Sequence, residues 1–438
     1  MSNRDKLLRR LADGLHQGFA LNWQNDGISH GWPGHSLWAR AMRLKTQWRR
    51  ARIPAGARIV VSLPNSPAYI AYMLATWMGG WVFCPLPALH TSEQSRRIAL
   101  LKPALWIREQ NGRITEELGA GTMEQDPEAA MIIWSSASIG PGSAYLLSFA
   151  ALLWQIDAHL SALHLQRESF LWNTLPWAHC FAGILELLPA CVTGSVIHVD
   201  AQLSRRPPQG CTHLLTVPRI AALLEPERLQ QLEGGIVGGA PIGAKLAKHL
   251  SGSRLCAGYG QSEAGPGITL GDPGHFEPYI LGRALVECKL HQGALHYRSS
   301  GQAAARLDAG GWQNIAASDG WIDSGDEVRI TEDGIFYWRG RRDGRFSLAD
   351  GRSIRPENEE TRLLEQYPEA DAIILGAPGW HHLTALARVP HDLQKQLQRR
   401  WQEPYHLTMP SDQFWKEAPI PHGKPNRRWV YEHWQNVV

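Results

Sequence analysis

The segment Trp321–Arg345 reads WIDSGDEVRITEDGIFYWRGRRDGR, and acidic and glycine turns punctuate its strand-like runs in a fixed order. Ser324–Asp326 predicts a carboxylate on a tight glycine turn, and Glu332–Gly334 is a hairpin signal. Ile335–Trp338 predicts a buried β-strand, which would carry Gly340–Arg341 to the same end of a sheet as the first carboxylate. The segment therefore predicts a β-hairpin with an acid and a base at one end.

An acid and a base in this arrangement suit a sugar–phosphate ligand. A carboxylate can accept hydrogen bonds from two neighbouring ribose hydroxyls, and a guanidinium beside it adds donors to the sugar or a phosphate. An ordinary hairpin with a surface ion pair is the alternative, and it is the commoner outcome of such a pattern.

Length and composition exclude several classes of protein. The chain has 438 residues, more than one hydrophobic core usually organises, which predicts two or more domains. Its 44 Lys and Arg residues against 41 Asp and Glu give a net charge of +3, so no broad electrostatic footprint for nucleic acid is present. The six cysteines form no CxxC pair and have no histidine at ligand spacing, which favours reduced thiols in the cytoplasm over disulfides or structural zinc.

The amino terminus and one uncharged stretch bear on membrane association. Residues 1–20 are charged and amphipathic without an apolar signal core, so secretion is not expected. Residues 59–89 carry no charge, but prolines and glycines interrupt them repeatedly, which opposes an integral membrane segment. Ile59–Leu63, Ala68–Met78 and Trp81–Cys84 instead predict strand, helix and strand, a βαβ unit of a parallel sheet.

The pattern of helix and strand signals changes along the chain. Strand and helix signals alternate through the first part, which predicts α/β layers, and short β runs with Gly and Asp turns then predict a β-rich subdomain. Polar sequence at Arg342–Gly351 predicts a hinge, and Ile373–Gly376 and Leu393–Trp401 indicate a small α+β unit beyond it. The predicted fold is therefore α/β, with a large N-terminal domain (residues 1–341) and a small, mobile C-terminal domain (residues 342–438, hereafter the small domain).

Several separated segments carry motifs in one order. They are Ala57–Pro87 (ARIVVSLPNSPAYIAYMLATWMGGWVFCPLP), Leu175–His179 (LPWAH, the acid segment), Gly238–Pro241 (GGAP), Tyr259–Glu263 (YGQSE), Trp321–Arg341 and Pro419–Arg427 (PIPHGKPNR). In this order and spacing the chain resembles the adenylate-forming, or AMP-binding, enzyme superfamily, which includes acyl- and aryl-CoA synthetases, adenylation domains and luciferases. The resemblance covers nearly the whole chain.

The resemblance implies an acid–thiol ligase that uses ATP and Mg²⁺. A carboxylic acid and ATP would give an acyl-adenylate and pyrophosphate, and a thiol of CoA, or the phosphopantetheine of an acyl carrier protein, would then take the acyl group. Such chemistry requires two anions to be brought together and charge on the α-phosphate to be stabilised. A non-catalytic or weakly active acid- or nucleotide-binding relative is the alternative.

The resemblance also implies roles at the nucleotide. Asp326 would hold the ribose hydroxyls with Arg341 nearby, Glu263 would hold Mg²⁺, and Ser262 would contact the phosphate. The GGAP segment would let adenine lie close against the backbone, although its glycines alternatively serve only a tight turn. The ATP- and AMP-binding residues in these segments would be Gly238, Gly239, Ala240, Pro241, Tyr259, Gly260, Gln261, Ser262, Asp326 and Arg341.

Catalysis and the acid pocket fall on two further segments. Lys424 would span the attacking carboxylate and the phosphate as a compact point charge, and His179 would meet the carboxylate or gate the pocket. Asp343 would be the hinge about which the small domain rotates. The structural alternatives are a surface lysine for Lys424, a satisfied core histidine for His179 and a helix-capping or solvated carboxylate for Glu263. The acid pocket would be lined by Trp177, His179, Phe181, Ala182 and Gly183.

The acid segment narrows the substrate class. Amino-acid adenylation domains place an aspartate near this segment to pair with the α-ammonium group, and His179–Gly183 offers none. An acid without an α-amino group is therefore expected, and the apolar, aromatic neighbourhood suits an aryl or medium acyl group. Stand-alone members of the family act in aryl polyene and related polyketide pathways, which suggests an aryl acid such as a hydroxybenzoate.

One segment departs from the family pattern. Ser135–Ser143, SSASIGPGS, stands where the family has a loop rich in Ser, Thr and Gly that ends in Pro-Lys and wraps the β- and γ-phosphates. This phosphate loop lacks the lysine, although Ser135, Ser136 and Ser138 remain as donors. We therefore expect weaker ATP binding or slower turnover. A second departure is Asn358, where the family has Glu, and its consequence does not follow from the sequence.

Overall fold

A computed structural model describes most of the chain. It covers residues 1–25, 28–87, 91–135, 142–200, 207–308, 310–342, 346–347, 353–354, 356–375, 384–403, 405–417 and 430. The predicted site residues that lie outside this part of the chain are Ser136, Ser138, Asp343 and Lys424.

Two large sheets dominate the described part of the chain, and the predicted α/β fold is confirmed. The thirteen-stranded sheet has the order Glu287–His291, Ala294–Arg298, Ile322–Ile330, Ile335–Arg341, Ile280–Ala284, Gly267–Leu270, Cys256–Gly260, Gly234–Gly238, His213–Thr216, Phe170–Asn173, Val196–Val199, Ala20–Asn25, Ile28–Pro33. The eight-stranded sheet has the order Gly311–Gln313, Ala305–Asp308, Ala144–Ser148, Ala129–Trp134, Val82–Pro85, Arg58–Ser62, Leu105–Gln110, Arg113–Leu118.

Helices fill the space between and around the sheets. The largest core cluster joins side chains of both sheets to the helices Asn3–Gln17, Gly34–Arg50, Pro67–Gly79 and Phe149–Leu163. None of the described helices is long and apolar enough to cross a membrane. The other helical segments are Thr91–Leu101, Cys180–Ala182, Gly183–Leu187 (a π-helix), Leu188–Thr193, Pro218–Ala221, Pro226–Gln230, Ala244–Leu250, Ser262–Ala264 (a 3₁₀ turn), Pro356–Gln366, Gln394–Arg400 and Asp412–Glu417.

The uncharged stretch near the amino terminus forms the predicted βαβ unit. The strands Arg58–Ser62 and Val82–Pro85 pair in parallel across the helix Pro67–Gly79. The helix begins where the hydroxyl of Ser66 accepts a hydrogen bond from a backbone N–H of the first turn, and it ends at Gly80 in the left-handed region with φ 80°. Its residues from Pro67 to Trp77 are all buried, which explains why no charge interrupts it.

Four strands of the larger sheet run parallel and position the site. Phe170–Asn173 pairs with His213–Thr216, which pairs in turn with Gly234–Gly238, and Gly234–Gly238 pairs with Cys256–Gly260. Because the carboxyl ends of parallel strands meet at one edge of a sheet, the segments that follow these strands share that edge.

The hairpin predicted at the start is present, with one correction. Ile322–Ile330 pairs with Ile335–Arg341, and Gly334 (φ 80°) makes the turn between them. Ser324–Asp326, predicted to be a turn, lies inside the first strand, where Gly325 adopts φ 71° and the pairing is irregular. A glycine in the left-handed region marks a β-bulge as readily as a turn. The register still sets Asp326 opposite Arg341.

The carboxyl-terminal part of the chain has its own small sheet. Ala372–Leu375, Thr384–Arg388 and His406–Thr408 form three strands, and the helices Pro356–Gln366 and Gln394–Arg400 pack on them around a separate core. This α+β arrangement agrees with the predicted character of the small domain. The boundary at residue 342 and the mobility of the domain stay predictions. A two-stranded pair, Phe346–Ser347 with Ser353–Ile354, precedes it.

Candidate active site

Motif segments meet at the carboxyl edge of the parallel strands. The acid segment follows Phe170–Asn173, the GGAP segment begins at the end of Gly234–Gly238, and the YGQSE segment begins at the end of Cys256–Gly260. In open α/β sheets, ligands bind in the crevice beyond this edge. The fold therefore gathers three of the predicted binding segments at one place.

Asp326 connects the hairpin to the YGQSE segment. Its Oδ2 accepts hydrogen bonds from Tyr259 Oη and Gln261 Nε2, both at 2.6 Å, and its Oδ1 accepts one from Trp338 Nε1 at 3.1 Å. Arg341 Nη1 lies 3.9 Å from Oδ2, and Asp326 is only 4% exposed. A carboxylate has about four lone-pair sites, so this one retains about one site for a ligand hydroxyl.

Tyr259 and Gln261, which donate to Asp326, each have a further feature that bears on ligand binding. Burial, followed by the charge of Asp326, raises the pKa of Tyr259 well above its ordinary value, so the phenol stays a donor. Gln261 Nε2 also donates to Ser324 O at 2.8 Å, whereas its buried Oε1 has no partner among the described residues. A buried acceptor without a donor is costly, and a ligand N–H or O–H would satisfy it.

Gly325 permits the position of Arg341. A Cβ atom at Gly325 would lie 3.2 Å from Arg341 Nη2, and its φ of 71° is unfavourable for other residues. Arg341 Nη1 donates to Ser324 O at 3.3 Å. The Ser-Gly-Asp sequence thus lets the guanidinium lie across the strand beside the carboxylate.

Close strand packing accounts for the first glycine of the GGAP segment, and backbone conformation accounts for the second. A Cβ atom at Gly238 would lie 2.6 Å from Gly258 O on the neighbouring strand, and Gly239 has φ 80°. A structural role alone is thus enough to explain Gly238 and Gly239. That role is compatible with a close approach by adenine. Ala240 and Pro241 follow on the same turn and are half-buried.

Ser262 joins three segments. Its Oγ donates to Trp134 O at 3.4 Å and lies 3.6 Å from Cys180 Sγ, directly after the acid segment. Trp134 immediately precedes the phosphate loop, whose ends are held together because Ser143 N donates to Ser135 Oγ at 3.0 Å. Ser262 therefore contacts both the residue that follows the acid segment and the residue that precedes the phosphate loop.

Glu263, the residue predicted to hold Mg²⁺, has a carboxyl group whose pKa is raised. Burial raises the pKa of its carboxyl group, its own backbone N–H and Arg341 lower it, and the charge of Asp326 raises it further. Within the described residues, no group of three His, Cys, Asp or Glu side chains could hold a metal by itself. Mg²⁺ is commonly bound by one or two carboxylates together with substrate phosphates, so a single partly buried glutamate fits it.

Trp177 is buried and ties the acid segment to its surroundings. It is 1% exposed, its backbone N–H donates to Asn65 Oδ1 at 2.8 Å, and its indole donates to Glu186 Oε1 at 3.3 Å. Its ring also lies against Tyr69, with the two centroids 5.7 Å apart. Trp177 is thus part of the packing at the acid segment, and its place in the lining of the acid pocket stays a prediction.

The other predicted pocket residues divide into two groups. Ala182 is fully buried, and a Cβ atom at Gly183 would lie 2.3 Å from Trp177 O, so both belong to the packing beneath the segment. His179 and Phe181 are half-buried at the surface of that packing. His179 precedes the short helix Cys180–Ala182, and its backbone oxygen accepts a hydrogen bond from Gly183 N at 2.8 Å.

Sequence reasoning missed a buried polar network beneath the acid segment. Glu186 lies fully buried in the π-helix, accepts a hydrogen bond from Asn173 Nδ2 at 2.6 Å, and burial raises the pKa of its carboxyl group to about 8. Its Oε2 has no partner in the described part of the chain. Asn65 Nδ2 extends the network by donating to Asn173 Oδ1 at 2.6 Å. A lone acid within the apolar run Phe181–Val192 was the available signal.

Comparison with known proteins decides the family. The model of a family described as "AMP-binding enzyme" matches residues 34–293, more than half of the chain. The chain belongs to the AMP-binding enzyme family. The resemblance drawn from the motifs is therefore confirmed, and with it the class of acid–thiol ligases, for which ATP and Mg²⁺ are the expected cofactors.

Two curated relatives of this AMP-binding enzyme are named for aryl acids. It is 26% identical over 410 residues to the feruloyl-CoA synthase of an Amycolatopsis species, a match that covers 81% of this chain and 82% of that protein. It is 24% identical over 398 residues to the p-hydroxybenzoic acid–AMP ligase FadD22 of Mycobacterium tuberculosis, covering 80% of this chain and 56% of the relative.

Solved structures share the fold of this AMP-binding enzyme. MatB from Rhodopseudomonas palustris with bound ATP superimposes with a TM-score of 0.77 at 17% identity, and the match covers all of both chains. Wild-type MenE from E. coli with an analogue of OSB-AMS gives a TM-score of 0.70 at 19% identity, covering 98% of this chain and 99% of that one. At these identities the likeness shows the fold alone.

Proposed function

We propose that this AMP-binding enzyme activates an aryl or medium acyl carboxylic acid without an α-amino group as its adenylate. The acyl group then passes to a thiol, either that of CoA or the phosphopantetheine of an acyl carrier protein. The observation that carries the proposal is the contact of Asp326 with Tyr259 and Gln261, at the edge where the acid segment also ends.

The nucleoside end of ATP would bind at the hairpin. Asp326 has about one acceptor site left for a ribose hydroxyl, and Gln261 Oε1 offers a second buried acceptor beside it. Arg341 would add donors to the sugar or the α-phosphate from the opposite strand. Because Tyr259 and Trp338 already hold the carboxylate, its orientation is fixed before the nucleotide arrives.

The phosphate end would bind between Ser262 and the phosphate loop. Ser135, Ser136 and Ser138 would supply hydroxyl donors, and Glu263 would hold the metal. When bound, Mg²⁺ neutralises charge on the phosphates and on the leaving pyrophosphate. Lys424 of the small domain (residues 342–438) would bridge the attacking carboxylate and the α-phosphate, with Asp343 as the hinge that moves it.

The acid would lie above the packing formed by Trp177, Ala182 and Gly183. His179 and Phe181 are the half-buried side chains at that surface, and they would contact the carboxylate and the apolar group respectively. Relatives named for ferulate and p-hydroxybenzoate, and the similar fold of an anthranilate CoA ligase solved with anthranoyl-AMP, support an aryl acid. An aryl polyene or related polyketide pathway would use such a product on a carrier protein.

Pyrophosphate release with a panel of aryl and fatty acids tests the proposal. We expect release with at least one aryl acid, a loss of at least about 100-fold in Lys424→Ala, and little change in the exposed control Lys248→Ala. Release with no acid in the panel would favour the non-catalytic relative. Comparing CoA with a phosphopantetheinylated carrier protein as acceptor then decides which thiol receives the acyl group.

A further inference from the structure

The phosphate loop contains no cation, although it would face the most highly charged part of its ligand. Its sequence, SSASIGPGS, offers hydroxyl and backbone donors only. A polyphosphate carries several negative charges, and protein sites for it use Lys or Arg as well as Mg²⁺. The source of that charge must therefore lie outside the loop, if the chain binds ATP as proposed above.

One guanidinium reaches the end of the phosphate loop from a neighbouring helix. Arg96, on the helix Thr91–Leu101, donates from Nη2 to Gly142 O at 3.1 Å. Glu93 holds it in a bidentate pair, with Arg96 Nε 2.7 Å from Oε2 and Nη2 2.8 Å from Oε1. The Arg96 guanidinium lies 5.6 Å from the ring centroid of Trp134, and the side chain is still 37% exposed.

A second arginine fixes this arrangement. Arg97 is 4% exposed, its Nε lies 2.7 Å from Glu93 Oε1, and its guanidinium lies 4.4 Å from the ring centroid of Trp134. Two arginines therefore share one carboxylate, which leaves a net positive charge beside the loop. Arg97 is committed to packing, so Arg96 is the member that could meet a ligand.

The position of this cluster relates it to the nucleotide. Trp134, on which Arg97 packs, has the backbone oxygen that accepts a hydrogen bond from Ser262 at 3.4 Å. Ser135, the next residue, begins the phosphate loop, and Gly142 lies near its end. Arg96 thus contacts the end of the phosphate loop at Gly142 and lies beside Trp134, the residue whose backbone oxygen contacts Ser262.

We infer that Arg96 supplies the cation for the β- and γ-phosphates of ATP that the phosphate loop itself lacks. Glu93 and Arg97 are positioning residues, because they orient the guanidinium without facing the ligand. The inference rests on the proposed function, and it adds a binding residue outside the loop.

Titration of the full-length protein with ATP and with AMP tests the inference. Arg96→Ala removes the cation, and we expect ATP–Mg²⁺ to bind at least about tenfold more weakly, because a charge-assisted contact is lost. AMP lacks the β- and γ-phosphates, so its affinity should stay within about twofold of the wild type. Arg96→Lys keeps the charge and should retain part of the ATP affinity.

Arg108→Ala is the matched control. Arg108 also packs on a tryptophan, 4.1 Å from the ring centroid of Trp106, and it also pairs with a glutamate, Glu117. Its strand, Leu105–Gln110, is separated from Ala129–Trp134 by two other strands of the sheet. We expect Arg108→Ala to bind both nucleotides like the wild type.

Two results would overturn the inference. Unchanged ATP affinity in a folded Arg96→Ala variant would do so, and so would an equal loss of ATP and AMP affinity, which would indicate that Arg96 only holds the end of the loop. Binding needs no turnover, so the titration still decides about Arg96 if no acid in the panel releases pyrophosphate. That failure would count against the proposed function alone.

Discussion

Asp326 is nearly saturated with protein donors before a nucleotide binds. Tyr259, Gln261 and Trp338 all donate to it, and about one lone-pair site remains. A carboxylate that is free to do so can hold both hydroxyls of a ribose, but this one has room for a single direct hydrogen bond. The second hydroxyl would have to find another acceptor, such as Gln261 Oε1.

Because Asp326 has room for one ligand hydroxyl, we expect the enzyme to distinguish between 2′-deoxy-ATP and 3′-deoxy-ATP. We expect one of 2′-deoxy-ATP and 3′-deoxy-ATP to show an apparent KM at least about tenfold above that of ATP, because it loses a charge-assisted hydrogen bond. The other should stay within about threefold, since it loses only a neutral contact. Pyrophosphate release with the three nucleotides measures this, and equal large losses for both analogues would contradict the count.

The buried carboxyl group of Glu186 should make the free energy of unfolding depend on pH. Burial raises the pKa of its carboxyl group to about 8 in the folded protein, from an ordinary value of 4.5. The folded state therefore holds a proton that the unfolded state releases, so the contribution of Glu186 to stability is most favourable below pH 4.5 and falls as the pH rises towards 8. The slope is about 1.4 kcal/mol per pH unit at most.

Glu186→Gln should remove that slope. Urea unfolding of both proteins between about pH 5.5 and 8.5 measures it, and the free energy of unfolding of the variant should gain on that of the wild type as the pH rises. The exposed acid Glu332, changed to Gln, is the control and should leave the curve unaltered. Parallel curves for the wild type and Glu186→Gln would show that the carboxyl group titrates normally.

Single residues were predictable where a motif assigns them and not where packing does. Asp326 and Arg341 follow from a hairpin whose register sets them opposite each other. Glu186 does not, because a lone glutamate on a helix is normally exposed, and only the tertiary contacts of Asn173 and Trp177 bury it. The burial of Trp177 was not predictable either, since an aromatic side chain suits a pocket wall and a core equally well.

At the scale of elements, the π-helix Gly183–Leu187 depends on its first residue. A Cβ atom at Gly183 would lie 2.3 Å from Trp177 O, a backbone atom of the acid segment. Real contacts of that length do not occur, so the helix and the acid segment cannot both keep their places if a side chain is added. A π-helix often marks a functional position, and this one carries Glu186.

Gly183→Ala should therefore be strongly destabilising. We expect a loss of about 2 kcal/mol or more and a lowered Tm, because the overpacked residue must displace backbone atoms. Gly31→Ala is the control, since Gly31 lies on an exposed strand where the nearest atom to a new Cβ, Asn22 Oδ1, is 3.8 Å away. Thermal unfolding of the two variants compares them, and similar Tm values would contradict the packing argument.

Elements with strong end signals were predictable from the sequence. The helix Pro67–Gly79 has a serine cap before it and a glycine after it, so it was expected within a residue or two of its true bounds. Ser324–Asp326 was taken for a turn because the sequence cannot tell a glycine in a turn from one in a bulge. The difference depends on the partner strand, Ala294–Arg298, which the sequence does not identify.

At the scale of the whole molecule, a few polar contacts join the small domain to the rest. Glu365 Oε1 accepts hydrogen bonds from the backbone of Lys245 and Leu246 at 3.0 and 3.3 Å, at the start of the helix Ala244–Leu250. Asn358 Nδ2 donates to Arg339 O at 3.2 Å, while its buried Oδ1 has no partner among the described residues. The unexplained substitution at Asn358 thus lies at this contact.

Loss of Glu365 should affect the two half-reactions unequally. If the small domain rotates between adenylation and thiol transfer, these contacts stabilise one orientation and not the other. We expect Glu365→Ala to change the ratio of the two rates at least about threefold, with little change in Tm, because the side chain is only half-buried. Glu332→Ala, on the hairpin turn, is the control, and an unchanged ratio would argue that the contact does not distinguish the orientations.

The order of strands in the two sheets could not be predicted from the sequence. Local patterns indicate which residues form strands, but pairing between distant strands depends on the complete chain. Ala20–Asn25 lies beside Val196–Val199, and Ala305–Asp308 leaves its sequence neighbours to join Ala144–Ser148 in the other sheet. The family resemblance supplied the overall class of fold where the local patterns could not.

This exchange of strands constrains how the chain is made on the ribosome. Ala144–Ser148 pairs on one side with Ala129–Trp134, and its other side stays an open edge until Ala305–Asp308 has been synthesised. An uncovered, largely buried strand of this kind is a template for pairing with another nascent chain. That edge therefore stays open to such pairing until residue 308 has been synthesised, and a chain truncated before residue 305 would keep it exposed.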